Sequence, residues 1–295
     1  MEWNDSHDIS TFANPSNGGS VEINNSGKSS GTYKHFVNLT LNAKPNTGWH
    51  FTNWADATSN TSTSRGVTVT GAASYTANFS PNTYTITFNG NNGTLPSGLS
   101  TLSPTYTSSN YCSWENLSKT SRRGYTLTGY YDAPNGGNKI YNANGTAYAG
   151  GIYWDSNSNW KYAGNVTAYA QWSANKIKLT LDPSPGSGGT KNIWYYYNSE
   201  PDHFYSDESC KTEIFDIIKP IRTGYTFVHY EGNGTSGGIE HEKYIAYIDG
   251  NGIYRPFASD LDIDIYKDAI FTASWSNNSY YVKFNSNGGE GEMSD

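Results

Sequence analysis

The sequence predicts a β-rich α+β chain built from small modules in tandem. Three observations carry that expectation. Aromatic residues make up 15% of the 295 residues, with 25 Tyr, 11 Phe and 9 Trp, while Leu, Ile and Val are few. Rings of this kind favour the half-buried surface of a strand. Gly is frequent, at 31 residues, and Asn, Ser and Thr abound, which is the composition of short strands joined by tight turns. Finally, the chain repeats itself, and self-similarity at a regular spacing marks tandem units.

Each unit opens on an alternating phrase. Tyr84, Ile86 and Phe88 alternate with Thr85 and Thr87 and run into Asn89-Gly90-Asn91-Asn92-Gly93. Alternation of this kind marks a half-buried strand, and the Asn/Gly run supplies the turn. Ile177, Leu179 and Leu181 followed by Gly188-Gly189 repeat it, and Ile9 to Phe12 followed by Asn17-Gly18-Gly19 is a weaker N-terminal counterpart. Tyr280 to Phe284 followed by Gly288-Gly289 opens a fourth unit.

A second phrase comes next: Gly48-Trp49-His50-Phe51, Gly124-Tyr125-Thr126-Leu127 and Gly224-Tyr225-Thr226-Phe227. It reads as a second strand. The closing phrase pairs Tyr75 with Phe79, Tyr169 with Trp172 and Phe271 with Trp275, so a large ring finishes each core. Between the opening and second phrases, short helices are expected at Trp114 to Lys119 and at Lys211 to Ile218, the latter ended by Pro220. The first unit carries strand-like Val37 to Leu41 at that place. Short linkers fall near Pro81-Asn82, Ala174-Asn175 and Asn277-Asn278.

These phrases in this order resemble the Listeria–Bacteroides repeat, also called the internalin B repeat. The residues that carry the resemblance are the opening strand with its Asn-Gly turn, Gly124 to Tyr131 with Asn135-Gly136-Gly137, and Ala168 to Trp172. The first unit, with Asn14 to Gly19, Pro45 to Trp49 and Tyr75 to Phe79, is similar to the divergent form of that repeat. The resemblance implies β-grasp-like modules arranged as an extended rod. Their bounds are 7–80 (divergent type), 81–174 and 175–276 (each with an inserted hairpin) and 277–295 (the start of a further repeat). It also implies stalks or weak adhesive modules of surface proteins, including some phage proteins, with no catalytic residues to carry over.

Units two and three are longer than the usual repeat, and the additions occupy the same slot. One is Gly150 to Tyr162, in which Tyr153-Trp154 and Trp160-Lys161-Tyr162 flank a polar tip at Asp155 to Asn159. The other is Tyr244 to Phe257, with Tyr247 and Tyr254 on its two arms. Both read as hairpins. Tyr153, Trp154, Trp160, Tyr162, Tyr247 and Tyr254 are therefore the candidate ligand-binding residues. An aromatic face stacks on the apolar face of a pyranose, while cross-strand packing of the same rings needs no ligand. Trp194 to Tyr197 poses the same choice between a structural strand and a contact surface.

Other patterns carry less chemistry. Asp260, Asp262 and Asp264 alternate along one segment but lack the loop of a calcium hand. Glu240-His241-Glu242 places neighbours on opposite sides of a strand. Cys112 and Cys210 are expected as separate, mostly buried thiols. Asn-x-Ser/Thr triplets such as Asn38-Leu39-Thr40 arise by chance in such a composition. No hydrolase elbow, phosphate loop or zinc-protease motif occurs, so no catalytic residue, cofactor or metal is expected.

A formal charge of -7 argues against nucleic acid, and no apolar run is long enough for membrane insertion. Met1 to His7 lacks the pattern of a secretion leader. The expected function is a non-enzymatic extracellular stalk or adhesive segment of a bacterial cell-surface protein. Its partners would be neighbouring repeats of the same chain and a host-surface glycan or protein. Two alternatives stand beside it: a carbohydrate-binding module using the aromatic hairpins, and a phage fibre or decoration protein on a virion surface.

Overall fold

The computed structural model describes residues 5–197, 203–232, 243–245, 247–248, 254–255, 265–285 and 287–289. By contacts the chain divides into two compact units, Met1–Arg122 with Leu127–Trp172, and Arg123–Thr126 with Ser173–Asp295.

The first unit holds two apolar cores. One lies among residues 6–81, where a four-stranded sheet runs in the order Ser30–Lys34, Ser6–Asn14, Ala73–Pro81, Trp49–Trp54. A three-stranded sheet accompanies it, in the order Gly19–Ile23, Asn38–Pro45, Ser64–Thr68. Alternation dictates the burial: along Asn38–Pro45, Leu39, Leu41 and Ala43 point inward while Asn38 and Thr40 face water. Ile9, Ile23, Trp54 and Phe79 fill the same core. The strand read into Val37 to Leu41 is present as part of Asn38–Pro45.

The second core belongs to a five-stranded sheet ordered Lys139–Asn142, Tyr125–Tyr131, Val166–Ala174, Ile86–Asn89, Thr101–Leu102. Ile86, Phe88, Tyr130 and Tyr141 form its centre.

The second unit contains a seven-stranded sheet. Its order is Glu213–Ile214, Phe204–Tyr205, Asn192–Tyr196, Lys176–Asp182, Ala269–Asn277, Tyr225–Gly232, Lys243–Ile245. Leu179, Leu181, Tyr230 and Phe271 are fully buried there.

One arrangement recurs in all three. The opening strand pairs in parallel with the closing strand: Ser6–Asn14 with Ala73–Pro81, Ile86–Asn89 with Val166–Ala174, and Lys176–Asp182 with Ala269–Asn277. The strand of the Gly-aromatic phrase flanks the closing strand on its other side.

The helical part of the expectation is corrected. No α-helix occurs among the described residues, so the fold is β-rich and not α+β. Glu115–Lys119 forms only a five-residue 3-10 turn that buries Leu117, and its N-cap residue, Trp114, makes no side-chain capping bond. Lys211 to Ile218 contains the short strand Glu213–Ile214 instead. The reason lies in the side chains. Thr212, Ile214, Ile217 and Ile218 are β-branched and Phe215 is aromatic, so each loses rotamer freedom in a helix. A segment this short cannot offset the cost of nucleation.

Candidate functional site

The inserted segment of the second core folds as a tight hairpin. Trp154 and Trp160 face each other across it as a bridge pair, and Lys161 N–H donates to the Tyr153 carbonyl at 2.9 Å. Asp155 closes the tip: its carboxylate accepts from the N–H groups of Asn157 and Asn159 at 2.9 and 2.8 Å. These bonds hold the Asp155 carboxyl below its ordinary value; the Asn159 backbone bond leads, with burial opposing. The returning arm is itself pinned, since Thr107 N–H donates to the Trp160 carbonyl at 2.8 Å and Trp160 N–H to the Ser108 carbonyl at 2.9 Å.

The rings turn inward. Trp154 and Trp160 are completely buried and Tyr153 is 3% exposed, whereas Tyr162 is 37% exposed. They extend a chain of aromatic contacts from the core: Phe88 to Tyr141 at 6.1 Å, Tyr141 to Trp154 at 5.6 Å, Trp154 to Trp160 at 5.0 Å, and Tyr153 to Tyr162 at 4.8 Å. Rings here replace the missing aliphatics. Buried rings have no free face on which a pyranose could stack, so of these four residues only Tyr162 offers one. The indole N–H groups of Trp154 and Trp160 are buried without a hydrogen-bond partner among the described residues.

Of the other candidates, Tyr247 and Tyr254 lie on paired antiparallel strands, Tyr247–Ile248 against Tyr254–Arg255, with Tyr247 opposite Arg255 and Ile248 opposite Tyr254. Asn192–Tyr196 is a strand with Tyr195 buried and Tyr196 at its exposed end. Cys112 and Cys210 are free and half-buried. The acidic segment at 260–264 and Glu240-His241-Glu242 lie outside the described residues. Among the described residues no group of three His, Cys, Asp or Glu is placed to hold a metal ion. No helix among them is long and apolar enough to cross a membrane.

A second constellation, not legible in the sequence, lies at the positions expected as linkers. Asn82 N–H donates to the Gly48 carbonyl at 2.8 Å, Asn175 N–H to Gly124 at 2.9 Å, and Asn278 N–H to Gly224 at 3.0 Å. The side chain of each Asn is held as well. His50 donates through Nδ1 to Asn82 Oδ1 at 2.7 Å, and Thr126 and Thr226 donate to Asn175 and Asn278 Oδ1, each at 2.6 Å. The glycines sit at φ of 82°, 74° and 79°, a left-handed backbone that glycine adopts without strain. Its trace in the sequence is the recurring Asn, two residues before the first ring or aliphatic of each opening phrase.

Residues 9–83 match the family model of the divergent InlB B-repeat domain. No curated protein and no solved structure matches the chain. The divergent InlB B-repeat match thus takes in both sheets of residues 6–81 almost entirely and ends just past Asn82, so the first Gly–Asn bracket lies inside it.

Proposed function

We propose that this chain is a non-enzymatic segment of repeat modules that serves as a stalk with adhesive capacity in an extracellular surface protein. The divergent InlB B-repeat match supports the surface-repeat class. The parallel pairing of opening and closing strands supports the stalk.

In a parallel pair of first and last strands, the chain enters at one end and leaves at the other. Tension along the chain then shears every bond of the ladder together instead of peeling them one at a time. In the second module Ile86–Asn89 and Val166–Ala174 are so placed, with Ile86 opposite Val166. A module loaded this way resists extension, which is what a stalk requires.

The test is single-molecule extension of the full chain between terminal handles. Discrete, cooperative unfolding steps at forces typical of sheared sheets are expected. Smooth extension at low force would remove the stalk reading. The adhesive part is tested on glycan and host-protein arrays with the parent and Tyr162→Ala. Tyr162 is the hairpin ring left to solvent, so binding that depends on it would make the hairpin a ligand site.

A further inference from the structure

At the first two brackets the glycine is covered by a tyrosine. A Cβ at Gly48 would run into the Tyr106 ring, and one at Gly124 into the Tyr197 ring. Each tyrosine is also tied through its backbone: Tyr106 N–H donates to the Asn82 carbonyl and Tyr197 N–H to the Asn175 carbonyl, both at 2.8 Å. Each follows the strand that lies antiparallel to the opening strand, Thr101–Leu102 on Ile86–Asn89 and Asn192–Tyr196 on Lys176–Asp182. The glycine is needed twice over, for its positive φ and for the ring that rests on it.

The third bracket has the same lower half and no cover. Gly224 holds Asn278 as the others hold theirs, yet no described atom lies within 4 Å of the position of its absent Cβ. The opening phrase that follows forms no strand among the described residues and is bare. Val282 and Phe284 are 73% and 72% exposed, where Ile86, Phe88, Leu179 and Leu181 at the same places in the repeat are buried. Tyr280 and Tyr281 are exposed beside them. A segment of alternating apolar side chains with no strand beside it among the described residues can take one up by strand addition.

We propose that Gly224, Asn278 and Tyr280 to Phe284 form a strand-accepting socket. Its occupant is the tyrosine-ended antiparallel strand of a further module of this repeat type, the tyrosine seating on Gly224 and donating its N–H to the Asn278 carbonyl. The support for the occupant is internal: two glycine brackets with the same Gly–Asn backbone bond and tyrosine cover already hold it in this chain. The socket goes beyond the stalk reading and does not depend on it.

The experiment is hydrogen exchange on the full chain and on a chain in which a second copy of residues 90–174 follows Asn285 directly, so that Tyr280 to Phe284 remain the opening segment of the added module. In the parent, Gly48→Asn should release protection at the Tyr106 amide and Gly124→Asn at Tyr197, each leaving the other tyrosine as a control for folding. Asn is chosen because it tolerates a left-handed backbone, so the added bulk is what acts. In the extended chain the copied Tyr106 amide should be as protected as the original, and Gly224→Asn should abolish that protection. Gly224→Asn should leave exchange in the unextended parent unchanged. A folded copy whose tyrosine amide exchanges freely, or stays protected in Gly224→Asn, overturns the proposal. If the copy does not fold, retention of protection at Tyr106 and Tyr197 in the two parent variants overturns it equally.

Discussion

The Tyr153 hydroxyl donates a 2.8 Å hydrogen bond to Oδ2 of Asp132, whose carboxylate also accepts from the backbone N–H and side chain of Asn138 at 2.7 and 2.9 Å. The inserted hairpin is thereby fastened to the turn that follows Tyr125–Tyr131. Burial alone would raise the Asp132 carboxyl, but the Asn138 and Tyr153 bonds outweigh it and hold the group below its ordinary value. Burial and the same carboxylate push the Tyr153 hydroxyl upward.

A carboxylate held lower in the folded than in the unfolded chain stabilises the fold above about pH 4, and the gain disappears as pH falls through the folded value. Tyr153→Phe is expected to cost about 1 kcal/mol at neutral pH. Asp132→Asn should flatten the acid side of the stability curve. Urea titrations between neutral pH and pH 2 would show this; equal acid sensitivity in parent and Asp132→Asn would rule out Asp132 as the acid-labile group.

Tyr130 and Tyr230 occupy the same place in successive modules, each fully buried, yet their hydroxyls differ. Tyr130 donates to the Leu117 carbonyl at 3.0 Å and is bonded to Thr120, whereas the Tyr230 hydroxyl has no hydrogen-bond partner among the described residues. Tyr130→Phe should therefore cost about 1–2 kcal/mol, because Leu117 and Thr120 lose a buried partner. Tyr230→Phe should be neutral or stabilising. If the two variants change the denaturation midpoint equally, hydrogen bonding does not distinguish the sites.

Both hydroxyls are pushed up to about 12, chiefly by burial, with the Thr120 bond opposing at Tyr130 and the Asp182 charge adding at Tyr230. The unfolded chain releases these protons near pH 10. Stability is thus complete below pH ~10 and is lost as pH rises toward the folded value. Tyrosinate absorbance of these buried residues should appear with unfolding, in one cooperative step. A gradual rise well before the loss of β-sheet circular dichroism would contradict this.

Gly93 and Gly186 play one role in two modules. A Cβ at Gly93 would meet the Trp172 ring and the Ser121 carbonyl, and one at Gly186 the Trp275 ring and the Ile221 carbonyl. The closing rings and the backbone of a facing loop therefore both touch glycine. Gly93→Ala and Gly186→Ala are each expected to cost about 1–3 kcal/mol through overpacking. In the first case the Trp172 indole, which donates to the Gly90 and Asn91 carbonyls at 3.1 Å, should also lose those bonds. A Trp emission shift accompanying the Ala variants would report it, and unchanged stability would show that the loops yield freely.

These relationships explain which parts of the fold were readable. The strands beginning at Ile86, Tyr125, Val166 and Lys176 follow from period-two alternation, which is a local property of the chain. The helix expected at Lys211 to Ile218 does not form because Ile214, Ile217 and Ile218 are β-branched, and the stop at Pro220 marks an end without supplying a helix. The hairpin at Trp154 and Trp160 was legible as a hairpin, but the direction of its rings was not. Their burial depends on Tyr141 and on the loop at Thr107, far away in sequence. The Gly–Asn brackets were hidden for the opposite reason: Asn beside Pro or Ala reads as a linker, and only the folded chain brings Asn82 to Gly48.

Arg65 supplies the last prediction. Its guanidinium donates through Nη1 and Nη2 to the two oxygens of Asp56, at 2.8 and 2.9 Å. It also lies 5.3 Å from the Trp54 ring and 5.2 Å from the Tyr75 ring. The arrangement uses the planar fork and its faces at once, which an ammonium cannot reproduce. Arg65→Lys keeps the charge but loses the second bond and the stacking, so it is expected to cost about 1 kcal/mol, the half-exposed carboxylate limiting the effect. The Arg65 side-chain bond is the main cause that holds the Asp56 carboxyl below its ordinary value, with burial opposing. Stability from this pair is present above about pH 4 and fades as pH falls through the folded value. Arg65→Lys should therefore shift the urea midpoint at neutral pH without changing the slope, and the difference from the parent should shrink in acid. A Lys variant as stable as the parent at neutral pH would show that charge alone, and not the fork, secures Trp54.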